Sequence, residues 1–126
     1  MKEEGTMSGL SGIDEGAFNY YPWTRVLQYV DEHYSEHISL AKAARISGLD
    51  LSSFSAFFRE SAGINFADWL RQVRVEKAMD LMKTRDFSIT EVADEVGFGD
   101  LRTFERAFKK HTRMTPREFK KSVAPE

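Results

Sequence analysis

Two stretches of this chain carry the same pattern, and that duplication limits the fold more than any other feature. Ser39-Leu40, Ala44 and Gly48-Leu49 are matched at one constant offset by Ser88-Ile89, Ala93 and Gly97-Phe98. Beyond the turn the offset grows by one residue, and Phe54, Phe58, Arg59, Ile64 and Trp69 fall on Phe104, Phe108, Lys109, Met114 and Phe119. A short helix, a Gly-containing turn and a second helix make a helix-turn-helix, the geometry that presents its second helix to a DNA major groove. Two copies in one chain imply two reading helices.

The rest of the chain divides around these repeats. Residues Met1 to Asn19 hold four of the eight Gly and four acidic residues without apolar periodicity, as expected of a tail or linker running to residue 22; Met7 offers an alternative start. A first helix is expected after Pro22 and Trp23, with Val26, Val30 and Tyr34 on its inner face and an end near Glu36. Ser39 is a good N-cap for the second helix, which buries Leu40, Ala43 and Ala44 before Gly48. The third runs from about Ser52 to Ala62 with Phe54, Phe57 and Phe58 inward and Gly63 as its stop. Asn65 with Asp68 opens a long fourth helix in which Phe66, Trp69, Leu70, Val73, Lys77, Ala78, Leu81 and Met82 trace a single stripe. Ser88-Ile-Thr-Glu91 is a capping box for the fifth, burying Ile89, Val92, Ala93 and Val96. Gly97 and Gly99 form the longer turn, the sixth spans about Leu101 to Thr112, and Thr115-Pro116-Arg117-Glu118 starts a short seventh. The expected fold is therefore all-α: a seven-helix domain with a first helix-turn-helix subdomain over residues 23–64, a linker helix over 65–84, a second subdomain over 85–122 and a short tail over 123–126.

Composition narrows the function. A net charge of −2 argues against a nucleic-acid partner, because Lys and Arg on phosphates supply most non-specific affinity. The distribution reverses that inference, since from Leu101 onward basic residues outnumber acidic ones eight to three. With no Cys in the chain, a disulfide framework, a thiolate zinc site and cysteine redox sensing are all excluded. No apolar run approaches the roughly 20 residues of a membrane span and no secretory signal opens the chain, so no membrane association and a cytoplasmic location are expected. Without a Gly-rich phosphate loop or a clustering of His with carboxylates, no enzyme and no cofactor are expected either. His33 and His37 stand at the i, i+4 spacing of a metal pair, yet no third ligand is evident, and a histidine near a helix C-terminus is favourable without metal. The phenylalanines of the repeats read as core rather than as a base-stacking set, because their spacing puts them on inward faces.

The second repeat, Ser88-Ile-Thr-Glu-Val-Ala-Asp-Glu-Val-Gly-Phe98 with Phe104-x-Arg106-x-Phe108-Lys109 and Met114-Thr-Pro-Arg-Glu-Phe119, resembles the signature of the AraC/XylS family of bacterial transcription regulators. Gly48-Leu49, Phe57-Phe58-Arg59, Gly63 and the segment Trp69-Leu70-Arg71-Gln-Val73-Arg74-Val-Glu76-Lys-Ala78 agree, so the resemblance covers about Val26 to Lys121. It implies a double-stranded DNA partner, two helix-turn-helix units in successive major grooves on one face of the duplex, and activation of transcription beside RNA polymerase. Regulators of this kind often carry a separate ligand-binding domain. A small-molecule effector is expected only if such an N-terminal domain exists, the chain then being a C-terminal piece of a longer protein rather than a stand-alone regulator. Repair relatives sharing this DNA-binding fold rely on reactive cysteines, which this chain lacks.

The resemblance makes the third and sixth helices the recognition helices. In the sixth, Leu101, Arg102, Glu105 and Arg106 are the expected base-contact positions; Arg102 and Arg106 share a face, where a guanidinium can pair bidentately with guanine and Glu105 can accept from cytosine. Thr103, Lys109, Lys110 and His111 are expected at phosphates. The third helix departs from the family in offering Ser52, Ser55 and Ala56 as base contacts, with Ser47 and Arg59 at phosphates. Small side chains read weakly, so the second unit is expected to supply most base discrimination and the first mostly to dock. A second departure is Thr112-Arg113, where the family usually has an aromatic and a Gly, removing the left-handed cap residue after the sixth helix. The competing function is a helical protein-interaction module, binding polymerase or a co-regulator, with DNA specificity weakened or lost.

Overall fold

The computed structural model describes residues 21–123. Over those residues the chain forms seven helices and no strand: α1 (Tyr21–His33), α2 (Leu40–Ser47), α3 (Leu51–Ala62), α4 (Phe66–Thr84), α5 (Ile89–Glu95), α6 (Leu101–Thr112) and α7 (Pro116–Val123). The expected first helix therefore starts earlier and ends earlier than its periodicity suggested, because a turn closes after His33 through Glu36 N–H to His33 O at 2.9 Å. Tyr21 and Pro22 belong to this helix and Val123 to α7, so the tails expected at both ends are shorter by those residues. What remains of the tail readings, 1–20 and 124–126, lies outside the described residues.

The helix starts are fixed by local side-chain caps. Ser39 Oγ accepts from Lys42 N–H at 3.0 Å and Asn65 Oδ1 from Asp68 N–H at 2.9 Å. Ser88 and Glu91 cap each other reciprocally at 3.1 and 2.8 Å, and Thr115 with Glu118 repeats that box at 3.1 and 2.9 Å. Of the two glycines expected to make the second turn, only Gly97 is left-handed, with φ 101°.

Two cores flank α4. The first gathers Trp23, Val26, Leu27 and Val30 of α1 with Phe54 and Phe58 of α3, and receives Phe66, Trp69, Leu70 and Val73 of α4. The second is built on Phe104 and Phe108 of α6 with Val92, Ala93 and Val96, and receives Val75, Ala78 and Met82. A single helical stripe thus does not describe α4: its first half buries one face in one core and its second half another face in the other. Val75 is fully buried and stands at the repeat offset from fully buried Val26. The cap pair Asn65 and Asp68 stands likewise against Thr115 and Glu118. Helix α4 is therefore the last helix of unit one and the first helix of unit two, which ties α3 and α6 to one rod.

The expected core assignments hold for Phe54, Phe58, Phe104 and Phe108, all fully buried. Phe57 is half-buried, edge-to-face with Trp23 at a ring-centroid separation of 5.2 Å, while Leu40 and Ile89 are only partly covered.

Candidate nucleic-acid interface

Helices α3 and α6, the expected recognition helices, begin in the same way. Asp50 Oδ1 accepts from Ser53 N–H at 2.7 Å and Oδ2 from the Ser53 hydroxyl at 3.1 Å; Asp100 does the same with Thr103, at 2.7 and 3.1 Å. The backbone N–H donors, seconded by the hydroxyls, hold both carboxyls below the usual carboxylate range. Sequence reasoning missed both aspartates as caps, although the signal was present as Asp-x-x-Ser and Asp-x-x-Thr at the repeat offset.

On α6, Arg102, Arg106, Lys109 and Lys110 are exposed, whereas Leu101 and Glu105 are partly covered. Neither Arg102 nor Arg106 is in an ion pair among the described residues, so both guanidiniums keep their donors for an incoming acceptor. On α3, Ser52, Ser55, Ala56 and Arg59 are exposed. The repeat sets Ser52 against Arg102, Ser55 against Glu105 and Ala56 against Arg106. At the head of α3 Leu51 is 50% exposed, the one exposed large hydrophobic side chain among the described residues.

Between α4 and α6 lies an open groove of about 360 Å³ lined by Asp68, Arg71, Thr103, Arg106, Lys110 and His111. Asp68 accepts from Arg71 Nη1 at 2.8 Å and stands 3.9 Å from Lys110 Nζ, so one carboxylate partly neutralises a cationic wall. His111 is half-buried there; desolvation first, and then the charges of Lys110 and Arg71 against the opposing pull of Asp68, lower its pKa. That burial favours the neutral imidazole, whose ring N–H can still be offered to a phosphate.

Two expected phosphate contacts are corrected. Ser47 is 3% exposed, and its hydroxyl donates to Ala44 O at 2.7 Å while accepting from Leu49 N–H at 3.1 Å. It holds the turn of unit one from inside. Thr103 gives its only hydroxyl proton to Asp100, and a phosphate oxygen, being an acceptor, has none to offer in return. Arg59, Lys109 and Lys110 remain exposed at the ends of their helices.

Arg113 supplies a third correction. It takes the left-handed conformation, φ 67°, and caps α6 through its N–H to Lys109 O, as Gly63 at φ 82° caps α3 through Arg59 O. The missing glycine did not remove the cap, because Thr112 Oγ1 ties the turn, donating to Phe108 O at 2.8 Å and accepting from Met114 N–H at 3.1 Å. His33 and His37 share no helical face, since α1 ends at His33, which pairs with Glu36 Oε2 at 3.0 Å and stacks on Tyr29. Among the described residues no three His, Cys, Asp or Glu side chains are placed to hold a metal ion, and no helix is long and apolar enough to cross a membrane.

The helix-turn-helix domain family matches residues 40–122 of this chain. An uncharacterized HTH-type transcriptional regulator of Staphylococcus aureus (strain MSSA476) is 35% identical over 97 residues, 76% of this chain and 13% of that protein. The chain thus spans about an eighth of the length of such curated relatives. Among solved structures, the DNA-binding domain of the global transcriptional factor AdpA, in complex with a target DNA, superposes with TM-score 0.75 at 26% identity, covering 80% of this chain and 91% of that one. A Chromobacterium violaceum transcriptional regulator with an AraC-type DNA-binding domain shares the fold, with TM-score 0.79 at 20% identity over 86% and 96% of the two chains.

Proposed function

The chain belongs to the AraC-type helix-turn-helix family of transcription regulators, and from that premise we propose that it binds double-stranded DNA sequence-specifically, with α3 and α6 in successive major grooves on one face. The observation that carries this reading is the pair of identically capped recognition helices on one shared rod, with Arg102 and Arg106 exposed and outside ion pairs. Sharing α4 between the units gives a single chain two readers, where a single helix-turn-helix needs a dimer. Arg102 and Arg106 read bases, with Leu101 and Glu105 beside them; Lys109, Lys110 and Arg59 hold phosphates. Ser52, Ser55 and Ala56 dock α3 against thymine methyls and bridging waters.

In this proposal the protein acts in the cytoplasm, catalyses no reaction, and activates transcription beside RNA polymerase. A small-molecule effector enters only through a further N-terminal domain. A second reading, a helical module that binds polymerase or a co-regulator with little DNA specificity, draws support from half-exposed Leu51 on a recognition helix without cationic readers at its head.

Titration of a selected duplex across a salt series separates the two. A DNA reader gives one preferred site whose log affinity falls linearly with log salt. A protein-interaction module shows no preferred duplex, and that result would overturn the proposal.

A further inference from the structure

The two units meet at one corner, where α1 ends. The carbonyls that close a helix lack intrahelical partners, and here a residue of the shared rod takes two acceptors of that corner. Arg74 Nε donates to Tyr34 O at 2.7 Å and Arg74 Nη2 to Glu36 O at 2.7 Å. One turn further along α4, Lys77 pairs with Asp31 at 3.0 Å and lies 5.3 Å over the Tyr34 ring, and Tyr34 itself packs against both cores.

On its other side this corner touches the turn of unit two. A Cβ placed on Gly97 would stand 2.7 Å from Ser35 O and 2.8 Å from Ser35 Cα. The repeat supplies the control: Gly48, the equivalent glycine of unit one, is left-handed as well, at φ 84°, yet a Cβ there meets nothing within 4 Å. Both turns need a left-handed residue; only the second also needs room for the other unit's backbone. Gly97 stands just before the Asp100 cap, so where it rests decides where α6 begins.

We infer that the Tyr34–Glu36 corner, gripped by Arg74 and seated on Gly97, fixes the distance and phase between the two recognition helices, making Arg74 and Gly97 positioning residues that set the operator spacing the protein accepts. The spacing half of this inference rests on the two-groove reading; the rigid corner does not. One inserted base pair turns the second half-site by about 34° and moves it about 3.4 Å. A rigid pair of helices cannot follow that displacement, whereas a pair hinged at the corner can.

The chain has no cysteine, so the pair Glu60→Cys and Glu95→Cys, both at exposed positions, can carry spin labels on the two units without competing sites. In the absence of DNA the parent gives one narrow distance distribution, which Arg74→Ala and Gly97→Ala broaden or shift. Gly48→Ala, strained in the same backbone region, leaves it unchanged. Arg74→Lys keeps the charge but cannot reach both carbonyls, so it behaves as Arg74→Ala and covers the case in which the alanine variant fails to fold. On DNA, the parent loses about tenfold in affinity when one base pair is inserted between the half-sites, and Gly97→Ala or Arg74→Lys loses less than about threefold. Unchanged distances in the Arg74 and Gly97 variants would overturn the inference, as would spacing discrimination equal to the parent's. If the distances change as expected but the parent itself ignores spacing, the two-groove reading and the operator role fail together while the rigid corner stands.

Discussion

Position for position, the two helix-turn-helix units share their skeleton and differ in what they turn outward. Asp50 and Asp100 cap with the same pair of hydrogen bonds, and Phe54, Phe58, Phe104 and Phe108 are equally buried. The outward row of α3 nevertheless reads Ser, Ser, Ala where that of α6 reads Arg, Glu, Arg, with Glu105 partly covered between two exposed arginines. Packing and capping constrain the inner face of a duplicated unit, while the outer face is left to recognition. The closing residue differs in the opposite direction, because unit one uses Gly63 and unit two holds Arg113 in the same left-handed cap.

The largest expected effect tests the shared skeleton. Phe54→Ala and Phe104→Ala each remove a fully buried ring and should each cost about 3–5 kcal/mol in chemical denaturation. Because both cores close on α4, both variants should lower one cooperative transition; two separated transitions would show that the units fold independently and would break the comparison at its base.

Next comes the outer face. Arg106→Ala should cost about 1–3 kcal/mol of binding to the preferred duplex and relax specificity beneath α6. Ser55→Ala should cost well under that, and comparable losses in a binding titration would remove the asymmetry. Ala56→Arg sharpens the same point, since one added cation on α3 should steepen the salt dependence by about one unit of slope.

Smaller still is the closing residue. Arg113→Gly relieves a left-handed conformation that costs a non-glycine residue about 1 kcal/mol, whereas Gly63→Ala introduces that cost. Thermal melts should move in opposite directions for the two. Movement in the same direction would mean that Arg113 contributes contacts outweighing its strain.

The smallest effect concerns pH. The carboxyls of Asp50, Asp100 and Glu118 are held below their usual values in the fold, chiefly by backbone hydrogen bonds. Their stabilisation is fully present above the unfolded carboxylate range and is lost as pH falls through the depressed folded values. Melts of Asp50→Ala and Asp100→Ala should therefore converge on the parent as the solution is acidified below that range. A constant gap at all pH values would show that the caps act without their charge.

Much of this architecture is legible in the sequence because a repeat states each local rule twice. The helix count, the Ser39, Asn65 and Ser88 caps and the inward phenylalanines all follow from spacing and capping chemistry. Val75 was missed because α4 changes its buried face between Val73 and Val75, which one helical period cannot express. Ser47 and Thr103 looked like phosphate donors because a sequence shows a hydroxyl but not where its proton goes. The grip of Arg74 on Tyr34 and Glu36 joins residues far apart in the chain and leaves no local signal at all.

The central claim is that one chain holds two readers of unequal power. It is tested most directly by selecting bound duplexes from a random library with the parent and with Arg106→Ala, and comparing base preference along the enriched site. The account predicts one asymmetric site about two helical turns long, most constrained in the half beneath α6, with that half alone relaxed in the variant. Two equally constrained halves, or relaxation of the half beneath α3, would contradict it.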